Sequence, residues 1–299
     1  MINSTQALVL TSAKTIPLIA KEKCIQILQN TKFEILGENI LGQNALEILF
    51  CGDISNCIGQ IKSQLDNMGI DANALPIMGR QKKLLIADMD ATIITTECVD
   101  ELATLHGVSS QVKILTDKAM QGILNFEASL RARVSLLEGL PFSSIEEAYH
   151  KHIKLTEGAC TLVQTMNQNG AVTILATGGF TCFAEPIAKR VGFQHYRANQ
   201  LEIKHQRLTG RITPPILGKE SKESILIEFM EKHNGTISNT LAVGDGANDS
   251  AMISAASLGV AFHAKPALKK ETNIHINHSD LTALLYLQGY REDEFVSSV

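Results

Sequence analysis

The sequence predicts an α/β protein: a mainly parallel sheet, a helical insertion after its first strand, and a small α+β unit in front. Three observations carry this. Short apolar runs of the doubly buried kind, Leu84-Leu85-Ile86-Ala87, Val172-Thr173-Ile174-Leu175-Ala176 and Thr240-Leu241-Ala242-Val243, each stop at a polar motif. Segments of helical periodicity separate them, as parallel strands joined by crossovers require. Residues 1 to 80 instead read as β-α-β-β-α-(β), the order of a ferredoxin-like unit.

Composition narrows the class. At 299 residues the chain accommodates two domains, and 44% hydrophobic with 19% charged residues is ordinary for a soluble globular protein. A net charge of −4 without a basic block argues against nucleic acid as a partner. Six scattered cysteines without a Cys-x-x-Cys pair read as thiols in a reducing cytoplasm. Met1-Ile2-Asn3-Ser4-Thr5 lacks the features of a secretory signal, and no apolar run reaches membrane-spanning length, so a cytoplasmic location without membrane contact is expected. The close histidine pairs, His150-x-His152 and His275-x-x-His278, have no accompanying cysteines and read as surface or loop residues.

In chain order, Ala7 to Leu10 reads as a strand, Ile16 to Leu28 as a helix, Phe33 to Leu36 and Ala45 to Phe50 as strands, and Ile54 to Met68 as a second helix. Asp71 to Pro76 is a last strand or a linker. This unit shows no catalytic constellation. In element order and size it resembles the ACT-type regulatory modules of amino-acid enzymes, which leaves ligand sensing, homodimer formation or simple packing open.

The Leu84 run ends at Asp88-Met89-Asp90-Ala91-Thr92. Two carboxylates so close need a cation, a shared proton or a basic partner. A helical region follows, roughly 97 to 168, with helices opening at Glu97, near Ser110, near Asn125 and at Ser143, where Ser143-x-x-Glu146 reads as a capping box. Arg133 lies two turns beyond Phe126 on the stripe formed with Leu130, Val134 and Leu137, so a guanidinium sits on a face that should be buried. It calls for an anionic partner, unless it snorkels from the edge of the stripe.

From Ala171 the α/β pattern returns. Thr177-Gly178-Gly179 between strand and helix offers a hydroxyl and accessible N–H groups to an anion. Tyr196 to Ile212 reads as a hairpin turning at Thr209-Gly210, and Lys219 and Lys222 stand at the entrance of the next helix, Ser221 to Lys232. Lysines there oppose the helix dipole and suggest an anion nearby. Gly244-Asp245-Gly246-Ala247-Asn248-Asp249 is the second acidic strand end. Leu258 to Phe262 and Ile274 to Ile276 complete the strands, and the acidic tail after Gly289 reads as frayed. A site along the carboxyl edge of the sheet is the expectation.

Taken together, Asp-x-Asp-x-Thr, Thr-Gly-Gly, a helix-entrance lysine and Gly-Asp-Gly-x-Asn-Asp resemble the four motifs of the haloacid dehalogenase superfamily of phosphohydrolases, over residues 80 to 285. Thr177, Lys222 and Asp245 follow Asp88 by 89, 134 and 157 positions. The resemblance implies a Rossmannoid sheet with a helical cap of the C1 type, a small-molecule substrate and Mg2+. Its implied domains are residues 1–80, ACT-like, and 81–299, catalytic, with the cap at about 97–168.

Glu97, Phe126 and Arg133, with the text Glu-Cys-Val-Asp-Glu-Leu-Ala, look like the phosphoserine phosphatase family, whose members release serine at the end of its biosynthesis. In that family the glutamate meets the substrate's amino group and the arginine its carboxylate. Carried over, Asp88 is nucleophile and metal ligand, and Asp90 is the acid and base, with its carbonyl on the metal. Asp245 completes the metal set, with Asn248 and Asp249 close behind. Thr177, Gly178 and Lys222 meet the phosphoryl oxygens, and Lys222 is preferred over Lys219 because Leu226 falls four residues later. Ala91 and Thr177 depart from the serines frequent in the family, and the first removes a hydroxyl near the phosphate. Rival readings are a phosphatase of the same superfamily acting on another small phosphomonoester, and a non-catalytic amino-acid sensor.

Overall fold

The protein is described from a computed structural model covering residues 5–120 and 123–296. The small unit runs β1 (Thr5–Ser12), α1 (Leu18–Asn30), β2 (Glu34–Gly42), β3 (Ala45–Cys51), α2 (Ile58–Asp66) and β4 (Ile70–Pro76). Its antiparallel sheet has the order β2-β3-β1-β4, so Asp71 to Pro76 is a strand rather than a linker. Leu8, Leu10, Ile48 and Phe50 face α1 and α2, where they pack with Cys24, Leu28, Ile61 and Leu65. Ala7, Val9, Ala45 and Leu75, from the opposite face, join the core of the larger domain. Burial on both faces explains the unbroken apolar run Ala7 to Leu10 at the centre of β1.

The larger domain follows with β5 (Leu84–Ala87), then the insertion α3 (Cys98–His106), α4 (Ser109–Met120), α5 (Phe126–Ser135) and α6 (Ser143–Lys151). The chain returns through α7 (Ala159–Gln168), β6 (Val172–Phe180), α8 (Thr181–Val191), β7 (His195–Lys204) and β8 (Arg207–Thr213). It ends with α9 (Lys219–Lys232), β9 (Thr240–Gly244), α10 (Ser250–Ala255), β10 (Leu258–Phe262), β11 (Ile274–Ile276) and α11 (Ala283–Leu287). The sheet order is β11-β10-β9-β5-β6-β7-β8, parallel except for the β7–β8 hairpin. The chain leaves β5 towards β6 and later comes back to β9 on its other side, so the order reverses at β5. A crevice opens at the carboxyl end of the strand where this happens.

The helical insertion hangs on two antiparallel strands of chain. Thr95 N–H donates to the Lys154 carbonyl at 3.0 Å and Thr156 N–H to the Ile93 carbonyl at 2.9 Å, around the bridge between Ile94 and Leu155. The expected helical stretch 97–168 therefore divides here: α3 to α6 form the cap, while α7 lies on the sheet, with Leu162, Val163 and Met166 in its core. The β7–β8 hairpin props the cap from the other side, Gly139 N–H donating to the Leu208 carbonyl and Phe142 N–H to the Gln206 carbonyl.

Three local expectations need correction. The hairpin turns at His205-Gln206, both with positive φ, and not at Thr209-Gly210, which lie inside β8. Ser143 is the first helical residue of α6 and makes no capping hydrogen bond, because Phe142 occupies the cap position. The tail after Gly289 is docked as far as residue 296: Tyr290 is buried, the Glu292 carboxylate accepts the Gln43 N–H at 2.7 Å, and Val296 N–H donates to Thr165 at 2.9 Å.

The small unit is sewn to edge strand β11. The Asn73 amide donates to the His275 carbonyl at 2.8 Å and accepts its N–H at 3.0 Å, imitating one rung of a ladder. Beside it the buried Asp71 carboxylate accepts the N–H groups of Asn277, His278 and Ser279 and the Ser279 hydroxyl, at 2.7 to 3.0 Å. Replacing Asp71 by alanine strands these donors in the interface, so a loss of about 3 kcal/mol is expected in urea unfolding. A loss below about 1 kcal/mol would show that the docking does not depend on this carboxylate.

Candidate active site

Beyond Ala87 the chain leaves the sheet in an irregular turn, with Asp88 still extended and Ala91 left-handed at φ 53°. Left-handed backbone is costly for a residue with a Cβ, and here it turns Asp90 back under the strand end. The Asp88 carboxylate accepts the Met89 N–H at 2.7 Å, and Asp90 accepts the Cys98 N–H at 2.9 Å from the start of the cap. Both carboxylates line one cavity of about 180 Å³ between cap and sheet.

Helix α9 brings the buried Lys222 across, its Nζ 2.7 Å from Asp88 Oδ1 and 2.5 Å from Asp249 Oδ1. Lys219 is exposed at the first turn of the same helix. Burial alone would favour the neutral lysine, but Asp249 and Asp88 outweigh it and hold the ammonium protonated. The second Asp249 oxygen accepts the N–H groups of Asp245 and Gly246 at 3.2 and 3.1 Å, which closes the β9 turn. Asn248 donates to Asp88 Oδ2 at 3.3 Å.

Thr177, Gly178 and Gly179 form the wall opposite. Thr177 Oγ1 accepts the Gly179 N–H at 2.8 Å, which leaves its own proton free to donate. This stretch is not the turn expected but the end of β6, irregular where its register with β7 shifts between Ala176 and Phe180, and it passes between the cap and Asp90: a Cβ on Gly178 would lie 2.7 Å from the Phe126 ring, and one on Gly179 would lie 2.8 Å from Asp90 Oδ2. Only glycine permits so close an approach.

The cap supplies Glu97, Phe126 and Arg133 to this cavity. Arg133 does not snorkel away: its Nε is buried without a hydrogen-bond partner among the described residues. A buried unpaired guanidinium nitrogen is costly and marks a place for an anion. Glu97, 44% exposed in its side chain, is pushed up by burial and by Asp90, a state that an ammonium ion relieves.

Asp88, Asp245 and Asp249 bring carboxylate oxygens within 4.8 Å of one another. An all-oxygen set of this density fits a hard divalent cation. Asp249 is the most engaged of the three, by Lys222 and two N–H groups, whereas Asp88 Oδ2 meets only the Asn248 amide, at 3.3 Å, and Asp245 meets the half-exposed Lys265, at 3.0 Å, so these two carboxylates are the more open to a cation. The crowding is felt: burial and Asp88 push the Asp245 carboxyl up, and burial raises Asp90 to about 6.

All the residues expected from the sequence thus meet at one cavity or directly behind it. Two others were not anticipated. Asn199 on β7 donates to the Gly178 carbonyl at 2.8 Å and accepts the Leu217 N–H at 2.7 Å, holding the glycine stretch in place. A buried asparagine inside a strand pattern was its signal in the sequence. Lys265, beyond β10, places its Nζ 3.0 Å from Asp245 and 3.7 Å from Glu97. Its signal was its position just past another strand's carboxyl end.

Between pH 4 and 6 the folded protein holds a proton on Asp90 that the unfolded chain has released, so this carboxyl lowers stability as pH rises through that window. In chelator-treated protein, Asp90→Asn should therefore gain on the parent as pH goes from about 4 to about 7. A difference that is flat with pH would show that burial does not shift this group.

Comparison with known proteins places this geometry in context. Residues 85–254 match the family model for haloacid dehalogenase-like hydrolases. The chain is 38% identical over 227 residues to a phosphoserine phosphatase of Archaeoglobus fulgidus, covering 75% of this chain and 66% of that one. It is 40% identical over 208 residues to a phosphoserine phosphatase of Methanocaldococcus jannaschii, covering 70% of this chain and 98% of that protein. A haloacid dehalogenase family hydrolase from Salmonella enterica superimposes over 97% of this chain and 99% of its own, with a TM-score of 0.82 at 26% identity.

Proposed function

Since the chain belongs to the haloacid dehalogenase-like hydrolases, and among them to the phosphoserine phosphatases, we propose that it hydrolyses O-phospho-L-serine to L-serine and phosphate with Mg2+. The observation that carries this reading is one cavity with Asp88, Asp90 and Thr177 on one wall and, from the cap, a carboxylate and a guanidinium whose buried Nε has no partner among the described residues. Phosphoserine has the complementary set: a phosphate, an ammonium for Glu97 and a carboxylate for Arg133.

The residues divide the work by position. Asp88 attacks phosphorus in line as the bond to the serine oxygen breaks, giving an aspartyl-phosphate; this splits one difficult hydrolysis into two steps. Asp90, raised to about 6 by burial, gives its proton to the departing serine oxygen. As a carboxylate it then takes a proton from the water that attacks the intermediate, which regenerates Asp88. Lys222, the Thr177 hydroxyl and the Gly178 N–H meet the charge on the phosphoryl oxygens. Asp88, Asp245 and the carbonyl of Asp90 would hold Mg2+, with Asn248 and Asp249 behind them; bound there, the ion neutralises phosphoryl charge and lets Asp88 approach an anion. Phe126 over Gly178 covers the substrate and keeps water out. Asn199 keeps the donor stretch rigid.

The small unit is proposed as a separate domain, residues 1–80, with the catalytic domain at 81–299. A cytoplasmic location and a homodimer formed through the small domain are consistent with this reading.

Asp88→Asn should abolish phosphate release from phosphoserine while leaving the unfolding transition intact. Substantial turnover by the purified variant would remove Asp88 from the nucleophile's role. Asp90→Asn should lose roughly 10²–10⁴-fold in kcat. Arg133→Ala should lose about 10- to 100-fold in kcat/KM on phosphoserine but far less on an aryl phosphate, which has no carboxylate to bind. Equal losses on both would argue against the clamp, and phosphate release that persists in a chelator would argue against Mg2+.

A further inference from the structure

The phosphoryl chemistry leaves Lys265 unused. Its backbone N–H donates to the Asp245 carbonyl at 2.9 Å, which fixes the residue beside the β9 turn. Its ammonium reaches two carboxylates at once, Asp245 at 3.0 Å and Glu97 at 3.7 Å. The first belongs to the proposed metal site, the second to the proposed amine site. Each carboxylate has a cationic ligand of its own, and a lysine ammonium cannot share that space with either at low cost. The two active-site lysines differ here. Lys222 is sealed between Asp88 and Asp249, whereas the Lys265 side chain is 48% exposed and also lines a groove of about 400 Å³ between cap and sheet, into which it can withdraw.

Resting on the reading of the site given above, we propose that Lys265 is a stand-in cation. It occupies the gap between metal and amine subsites, gives up Asp245 to the divalent cation, and gives up Glu97 to the substrate's ammonium. Because one side chain serves both carboxylates, dislodging it from one loosens it from the other, and the two ligands bind cooperatively. A substrate without an amino group leaves Lys265 on Glu97, so that carboxylate is never left unpaired.

The test uses the full chain as parent, Lys265→Met and Lys265→Arg. Isothermal titration with Mg2+ alone should show the Met variant binding about fivefold tighter or more, with the Arg variant close to the parent. At saturating Mg2+, the ratio of kcat/KM for phosphoserine to that for 3-phosphooxypropanoate, which is phosphoserine without its amino group, should rise about tenfold in Lys265→Met. Plain loss of a positive charge would weaken both anionic substrates alike and leave the ratio unchanged. An unchanged Mg2+ affinity, or a ratio that stays or falls, overturns the proposal. The Mg2+ measurement involves no substrate, so it is read separately from any failure of phosphoserine to be the substrate, and a parent that binds no Mg2+ removes both the metal site and the exchange.

Discussion

The buried ammonium of Lys222 between Asp88 and Asp249 is the interaction on which the rest of the site depends. Without it, the carboxylates at the ends of β5 and β9 would face one another in a poorly hydrated crevice, and protonation would be their only relief. With it, Asp88 has a buried cationic partner while Asp249 closes the β9 turn by accepting two N–H groups. Burial raises the Asp90 and Asp245 carboxyls, and at Asp245 the neighbouring Asp88 charge adds to the push, so negative charge there still exceeds its compensation. That imbalance suits a divalent cation, and it is tolerated because sheet and helices on all sides hold the groups in place.

Around this fixed centre the protein arranges two kinds of support. The cap is attached by one pair of crossing strand segments at Ile94 and Leu155 and propped by the β7–β8 hairpin, so the walls carrying Glu97, Phe126 and Arg133 are separate in the chain from the walls carrying the phosphoryl groups. The proposed recognition and phosphoryl-transfer groups therefore sit on different elements, and the tight contact of Phe126 with Gly178 sets the distance between them. The small domain supports the far edge instead: it covers β11 through Asp71 and Asn73 and contributes one sheet face to the common core. Shared apolar core and hydrogen bonds thus join it to the larger unit, the arrangement expected when the two move as one.

Much of this was legible in the chain. Apolar runs ending in polar motifs marked the strands and their functional ends because a strand buried on both faces has no other place to present a charge. The order of the motifs singled out Asp88, Asp90, Thr177, Lys222 and Asp245, which line one cavity or stand directly behind it, and the arginine on an apolar stripe has a buried Nε without a partner among the described residues. Errors fell where local signals compete: Thr-Gly reads as a turn, yet the hairpin turned at His205-Gln206, and a Ser-x-x-Glu pattern formed no cap because the helix began one residue early. The acidic tail looked frayed because nothing local shows that Gln43 and Thr165 receive it.

Sequence alone determined the fold class, the residues that come together at the candidate site and their likeness to a family of phosphatases, because these rest on residue type, periodicity and order. Tertiary structure alone decided which groups share a boundary. It placed Asn199 behind the glycine-bearing end of β6, left the Arg133 Nε without a partner among the described residues, and drew Lys265 between Asp245 and Glu97. It also turned the opening pair, Asp88 and Asp90, into groups with different surroundings: one paired with a buried lysine, the other raised by burial. Those differences come from distance and desolvation, which depend on residues far apart in the chain and leave no trace in local spacing.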